Sequence, residues 1–274
     1  ISIFNSGYTM ISQLKYLLSN IYKIHKIKKV FMFHFFYPYL AKYFSRKEIE
    51  TENINGKYII PRIYAHSRSA RFFLCREVYE SETINYIKKN FNYSGGIIHA
   101  GCYWGDHLPA LSKIIGKNLY VYAFEPNDLS FKYANKNIKL NNLFNVVIKN
   151  CALGEKKESK LLKVLDEKEN ILGGMSRIDE SNNFEIGEKK HKIEIETLDS
   201  QIPVNTAISI IFLDVESYEE NVLRGALNIL KRFRPILILE HFDKKKFEKS
   251  IIKTLNYSFE TRCENNYIYS NKIH

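Results

Sequence analysis

The stretch IIHAGCYWGDHLPALSKIIGKNLYVYAFEPNDLSFKYANKNIKLNNLFNVVI, residues 97–148, alternates short apolar runs with amphipathic segments, and this alternation decides the fold. Ile97-Ile98 reads as a buried strand and Asp106–Ile115 as a helix. Leu119–Phe124 is a second strand, Leu129–Leu140 a second helix and Val146-Val147-Ile148 a third strand. Strands that are apolar throughout are covered on both faces, and strand–helix–strand steps this short join parallel neighbours. The expectation is an α/β protein with a mostly parallel sheet.

Downstream, residues 155–200 read as irregular, with a charged stretch and Gly173-Gly174. Regularity returns with a strand at Ile208–Leu213, a helix at Glu219–Leu230, a strand at Ile236–Leu239 and a helix at Lys244–Leu255. Runs near Tyr257–Glu260 and Tyr267–Tyr269, joined by the turn residues Glu264-Asn265-Asn266, predict a closing hairpin. Upstream, Tyr58-Ile59-Ile60 and Arg71-Phe72-Phe73 read as short strands, and Ser81–Lys89 as a helix capped by Ser81. Nearer the start, Ile11, Leu14, Leu17, Leu18, Ile21, Ile24 and Ile27 have helical spacing with lysines opposite, ahead of an aromatic run from Phe31 to Tyr39. The chain thus divides into a helical, basic and aromatic N-terminal extension, residues 1–56, and a main domain, residues 57–274. The extension can dock on that domain, carry a homo-oligomer contact or lie on a membrane surface.

The chain has 274 residues, 45% apolar and 14% aromatic, the composition of a globular protein with one sizeable core. Cys75, Cys102, Cys151 and Cys263 stand far apart without a paired spacing, so no metal site is predicted and reduced thiols in a cytoplasmic protein are expected. No apolar run is long enough to cross a bilayer as a helix. The formal charge is +11, and residues 1–50 hold eight Lys or Arg against two Glu. Such an excess attracts phosphates, nucleic acid or anionic lipid, yet no recognised nucleic-acid motif accompanies it.

The chemistry gathers at strand ends. A strand closing on glycine lets the backbone approach a ligand, and Gly105 opens a helix after Gly101. Glu125 ends the second strand, about one strand–helix step later, where an acid can accept both ribose hydroxyl protons. Asp214 and Glu216, two apart at another strand end, project to one side. They can orient an ammonium group, position a hydroxyl or bind a divalent ion. His241 follows the strand ending at Glu240 and is a candidate general base.

In order and spacing, residues 97–240 resemble the FkbM family of S-adenosylmethionine-dependent methyltransferases. The resemblance rests on Ala100-Gly101 with Gly105, Ala123-Phe124-Glu125-Pro126, Asn135 to Asn141, Asn145-Val146 and Ala152-Leu153-Gly154-Glu155. It continues through Thr197-Leu198-Asp199, Leu213-Asp214-Val215-Glu216, Val222 to Ala226 and Arg234-Pro235 to Glu240, with Tyr79-Glu80 upstream. It implies a Rossmann-like class I methyltransferase fold with seven strands and a terminal antiparallel hairpin. It also implies methyl transfer from S-adenosylmethionine to a hydroxyl of a sugar, glycan or small metabolite, releasing S-adenosylhomocysteine. The implied cofactor residues are Glu80, His99, Gly101, Tyr103, Gly105, Glu125, Pro126, Asn127, Cys151, Ala152, Leu153 and Asp214. Asp214, Glu216 and His241 form the implied catalytic set, and Ser176 and Arg177 fall in a stretch expected to wall the acceptor.

Three departures from the family pattern stand out. His99 stands where an acid is usual, Tyr103-Trp104 bring bulk near a usual Asn, and Phe212 and Ser217 replace a Lys and a Gly around Asp-Val-Glu. These departures keep open a degenerate cofactor-binding or assembly module, and the basic N-terminal segment keeps open a nucleic-acid methyltransferase.

Overall fold

A computed structural model of the chain describes residues 48–165, 171–179 and 190–271. The amphipathic helix, the aromatic run and the oligomer contact expected within residues 1–47 lie outside the described residues.

The first described element contradicts a helical reading up to residue 56. Strands β1 (Glu48–Asn53) and β2 (Gly56–Pro61) form an antiparallel hairpin, with Ile49, Tyr58 and Ile60 buried. Helix α1 (Arg68–Leu74) replaces the strand expected at Arg71–Phe73. The Ser67 side chain caps it, and Ala70, Phe73 and Leu74 are buried at helical spacing, so packing overrides the β preference of the phenylalanines. Helix α2 (Ser81–Asn90) follows, with left-handed Glu80 rather than Ser81 at its cap position.

The expected alternation then appears as β3 (Gly96–Ala100), α3 (Leu108–Ile115), β4 (Val121–Phe124), α4 (Asp128–Leu140) and β5 (Val146–Lys149). The stretch read as irregular holds β6 (Ala152–Leu153), β7 (Glu158–Lys163), β8 (Arg177–Asp179) and β9 (Lys190–Glu196), a separate sheet in the order β6-β9-β7-β8. Leu161 and Leu162 are both buried there, so apolar and polar residues do not alternate cleanly.

The rest comprises α5 (Leu198–Gln201), β10 (Ile208–Leu213), α6 (Glu219–Arg224), α7 (Leu227–Phe233), β11 (Ile236–Glu240), α8 (Lys244–Glu248), α9 (Ile251–Thr254), β12 (Ser258–Cys263) and β13 (Asn266–Ser270). The single helix expected at Glu219–Leu230 breaks at Gly225, where a Cβ would stand 1.9 Å from the Gly154 carbonyl oxygen. That expected at Lys244–Leu255 breaks at Ser250, whose backbone is extended.

Among the described residues, seven strands form the main sheet in the order β12-β13-β11-β10-β3-β4-β5. β13 runs antiparallel to β11, and β12 to β13, while the other neighbours are parallel. β3 and β10 are central and buried along their whole length. From β3 the chain proceeds outward to β4 and β5, and only later fills the other side with β10 and β11. The β3/β10 boundary is therefore a switch point, with a crevice beyond the carboxyl ends of the strands.

The hairpin is held to this core by Asn137 and Asn141 on α4. The Asn137 side chain accepts from the Ile59 N–H (2.7 Å) and donates to the Ile59 carbonyl (3.1 Å). Asn141 does the same with Lys57, at 2.9 and 2.7 Å. Four helical residues rise about 6 Å and two strand residues about 6.8 Å, so amides one turn apart reach alternate strand residues. A helix face thus completes the ladder of a strand edge.

Candidate active site

The crevice begins at Gly101, directly after β3. Its φ is +77°, and a Cβ there would lie 1.7 Å from the Asp214 carbonyl oxygen. The Gly101 N–H donates to the Phe124 carbonyl (2.9 Å) and the Asp214 N–H to the Ala100 carbonyl (3.0 Å). Three strand ends are thereby drawn together, which only a residue without a side chain allows. Gly105, at φ +81°, serves packing instead, since a Cβ would meet the Ala134 Cα at 3.1 Å.

Beyond these ends lies a cleft of about 550 Å³. One wall carries Glu125, only 6% exposed. One of its oxygens accepts the Tyr103 N–H (2.7 Å) and the other the Asn127 N–H (2.9 Å), so the loops after β3 and β4 hold the carboxyl in one orientation. Burial pushes this carboxyl up to about 8, against the pull of the two N–H groups. Beside it, Pro126, Cys151, Ala152 and Leu153 form a mainly apolar surface.

The opposite wall carries Asp214, Glu216, Glu240 and His241. Oxygens of the three carboxyls lie within 4.8 Å of one another. Burial, and then a hydrogen bond shared with Glu240, push Asp214 well above the usual carboxylate range. Burial and the neighbouring Glu240 raise Glu216 to about 7. The His241 Nδ1 is 3.4 Å from a Glu240 oxygen, with the ring half exposed. This wall can share a proton, face a cationic group or take a proton from a hydroxyl.

Four of the expected site residues do not line the cleft but brace it. Glu80 lies behind the wall, 3.3 Å from the His107 Nε2, both side chains being 5% exposed. Burial opposes a charge on His107, but Asp106 and Glu80 outweigh it and hold its pKa above the ordinary value. Asn127 caps α4, accepting from the Leu129 and Ser130 N–H groups. Gly105 abuts α4, and His99 is sealed beneath the floor. Gly101, Tyr103, Glu125, Pro126, Cys151, Ala152, Leu153, Asp214, Glu216 and His241 all line the cleft, as does Ser176.

The sequence did not single out Tyr64, Arg68 and Glu240 as cleft residues. Tyr64 comes from the segment between β2 and α1 and Arg68 from the first turn of α1, and the approach of both depends on an aromatic cluster. Trp104 is fully buried against Tyr58 and Phe73, with ring centres 5.9 and 4.9 Å away, and Tyr103 packs on Tyr64 at 4.7 Å. The bulk in the glycine loop therefore anchors the N-terminal hairpin. Glu240 carried a signal, as a carboxylate at a parallel strand's carboxyl end.

His99 and Phe212 are register partners on β3 and β10, and their rings stack at 4.5 Å with an interplanar angle of 17°. Neither His99 ring nitrogen makes a well-formed hydrogen bond, and burial pulls its pKa down to about 3. Two departures from the family pattern are thus one contact between two buried, uncharged rings. His99→Asp alone is expected to cost about 1–3 kcal/mol, as a buried polar group without a partner. Adding Phe212→Lys should recover most of that loss in urea unfolding. Simple additivity of the two single changes would refute the coupling.

The sheet order and the cleft at its switch point define a Rossmann-like class I methyltransferase fold. A model of the methyltransferase FkbM domain matches residues 99–269, well over half of the chain, and the chain belongs to that family. Among solved structures, an FkbM methyltransferase from Methylobacillus flagellatus KT is similar at 14% identity and a TM-score of 0.45, over 76% of this chain and 53% of that one. The chain thus spans about half the length of that protein. A Pyrococcus abyssi tRNA (uracil-54, C5)-methyltransferase, in complex with S-adenosylhomocysteine, is similar at 11% identity and a TM-score of 0.45, over 82% of this chain and 44% of that one. A SAM-dependent methyltransferase from Aquifex aeolicus is similar at 15% identity and a TM-score of 0.39, over 76% and 96% of the two chains. No curated protein matches this chain in sequence. Among the described residues, no helix is long and apolar enough to cross a membrane.

Proposed function

We propose that this chain transfers a methyl group from S-adenosylmethionine to a hydroxyl oxygen of a sugar or other small hydroxylated molecule. The observation that carries this reading is a single cleft holding an anchored carboxyl, Glu125, on one wall and the Asp214, Glu216 and Glu240 cluster on the other. Its volume falls in the range of about 300–1,000 Å³ usual for small-molecule sites. Pro126, Cys151, Ala152 and Leu153 suit an adenine ring, and Glu125 suits the ribose hydroxyls, since each oxygen has acceptor capacity left after one N–H. The Gly101 main chain and Asp214 suit the methionine end.

When bound, S-adenosylmethionine supplies an electrophilic methyl on a sulfonium sulfur. The chain aligns the acceptor oxygen with that methyl and takes its proton. Glu216 is the group we assign to the proton, and its carboxylate would take that proton from the acceptor hydroxyl as the oxygen receives the methyl group. Asp214 and Glu240 share a hydrogen bond, and His241 sits beside Glu240, where it can pass the proton to solvent.

Calorimetry with S-adenosylhomocysteine tests the cofactor half of this reading. Glu125→Gln is expected to weaken both S-adenosylhomocysteine and 5′-methylthioadenosine by about 10- to 100-fold, the range for leaving a buried polar group without its hydrogen-bond partner. Both ligands carry the ribose, so the two losses should match. Failure of the wild-type chain to bind S-adenosylhomocysteine would overturn the assignment.

A further inference from the structure

The β7–β8–β9 sheet carries a row of basic side chains that methyl transfer alone does not require. Lys163 stands in register with Arg177 on one side and Lys190 on the other. Residues directly opposite across antiparallel strands share a face, and like charges so placed are destabilising, on the scale of about 0.2–1 kcal/mol per pair. Asp179 neutralises Lys190 at 2.5 Å, and Lys160, nearby on β7, is engaged by Glu158 and the Tyr218 hydroxyl. Lys163 and Arg177 have no carboxylate within ion-pair distance among the described residues.

Both line a groove of about 470 Å³ together with Ile178, Asp179, Glu216, Ser217 and Tyr218. Ile178, Glu216 and Tyr218 also line the main cleft, so the groove opens from it beside the carboxyl assigned as base. Glu216 and Ser217 sit at φ +51° and +74°, a strained pair of non-glycine residues of the kind held at functional sites by the surrounding structure. A guanidinium and an ammonium facing the same space form a receptor for one compact anion, the fork giving orientation and the lysine a point charge.

We propose that this groove is the acceptor subsite, and that the small hydroxylated acceptor carries an anionic group, a carboxylate or a phosphate, held between Lys163 and Arg177. That anchor would present a neighbouring hydroxyl to Glu216. The proposal rests on the methyltransferase reading of the cleft, and adds the class of acceptor to it.

Calorimetric titration of the full chain with glucuronate, glucose 6-phosphate and glucose, at low salt and with S-adenosylhomocysteine present or absent, tests it. At least one anionic sugar is expected to bind at least tenfold more tightly than glucose, and the better of the two identifies carboxylate or phosphate as the anion. Lys163→Ala with Arg177→Ala should remove that advantage, Lys163→Arg should retain it, and S-adenosylhomocysteine affinity should stay unchanged in all variants. Glucose binding as tightly as both acids, neither acid binding, or an unaffected double variant would each overturn the proposal. So would a short RNA that binds the groove where both sugars fail. Should the wild-type chain bind an anionic sugar but not S-adenosylhomocysteine, the methyltransferase reading fails while the anion site stands.

Discussion

Gly101→Ala is expected to abolish a stable fold, or to lower unfolding stability by roughly 4 kcal/mol, the sum of left-handed strain of about 1–3 kcal/mol and overpacking of about 1–3 kcal/mol. The overlap is with the backbone oxygen of Asp214, at 1.7 Å, and no side-chain rotation relieves it. β3 and β10 would have to part at the point where their ends carry the cleft. Gly116→Ala is the control, because Gly116 also has φ +77° but a Cβ there meets nothing within 4 Å. It should show the strain alone. Urea unfolding of the two variants reads the difference, and equal losses would show that the contact with Asp214 is not what requires glycine. A stability of about 5–15 kcal/mol leaves little room for the larger loss.

The second large effect concerns Glu216. A general base contributes about 10²- to 10⁴-fold, so Glu216→Gln is expected to lower kcat by about that factor while S-adenosylhomocysteine affinity is kept. The wild-type rate should rise with pH through about 7, because burial and Glu240 place the Glu216 carboxyl there and only its ionised form accepts the proton. The variant should lose this dependence, which a merely structural role would leave in place. Stability runs the opposite way. The folded pKa lies above the ordinary 4.5, so the contribution of this carboxyl to stability is fully present below about 4.5 and is lost as pH rises through about 7. A flat wild-type rate profile from pH 6 to 8 would remove Glu216 as the base.

The parallel core was legible because residues 97–148 write each strand as a contiguous apolar run and each helix as a contiguous amphipathic one. Both signals are local. Glu125, Asp214 and Glu216 were legible for a related reason, as carboxylates placed directly at strand ends where a parallel sheet opens its crevice. The sheet of β7, β8 and β9 was not, because buried Leu161 and Leu162 sit side by side and the two apolar faces blur the period of two. The helix at Arg68–Leu74 was not legible either, because the β preference of its two phenylalanines outweighs the single local helix signal, the Ser67 cap.

Pairings between distant residues belong to another level. Nothing local links His99 with Phe212, Asp214 with Glu240, or Lys163 with Arg177 and Lys190, and each pair exists because sheet register sets two strands side by side. The glycine at 101 shows the division most plainly. Its place after an apolar strand marks a turn at the mouth of a parallel sheet, and that much follows from residue order. That the missing side chain makes room for the backbone of Asp214, 113 positions later, emerges only when β3 and β10 lie in contact. Periodicity is a property of neighbours along the chain and can be read there. Close packing is a property of neighbours in space, and only the assembled sheet determines which residues those are.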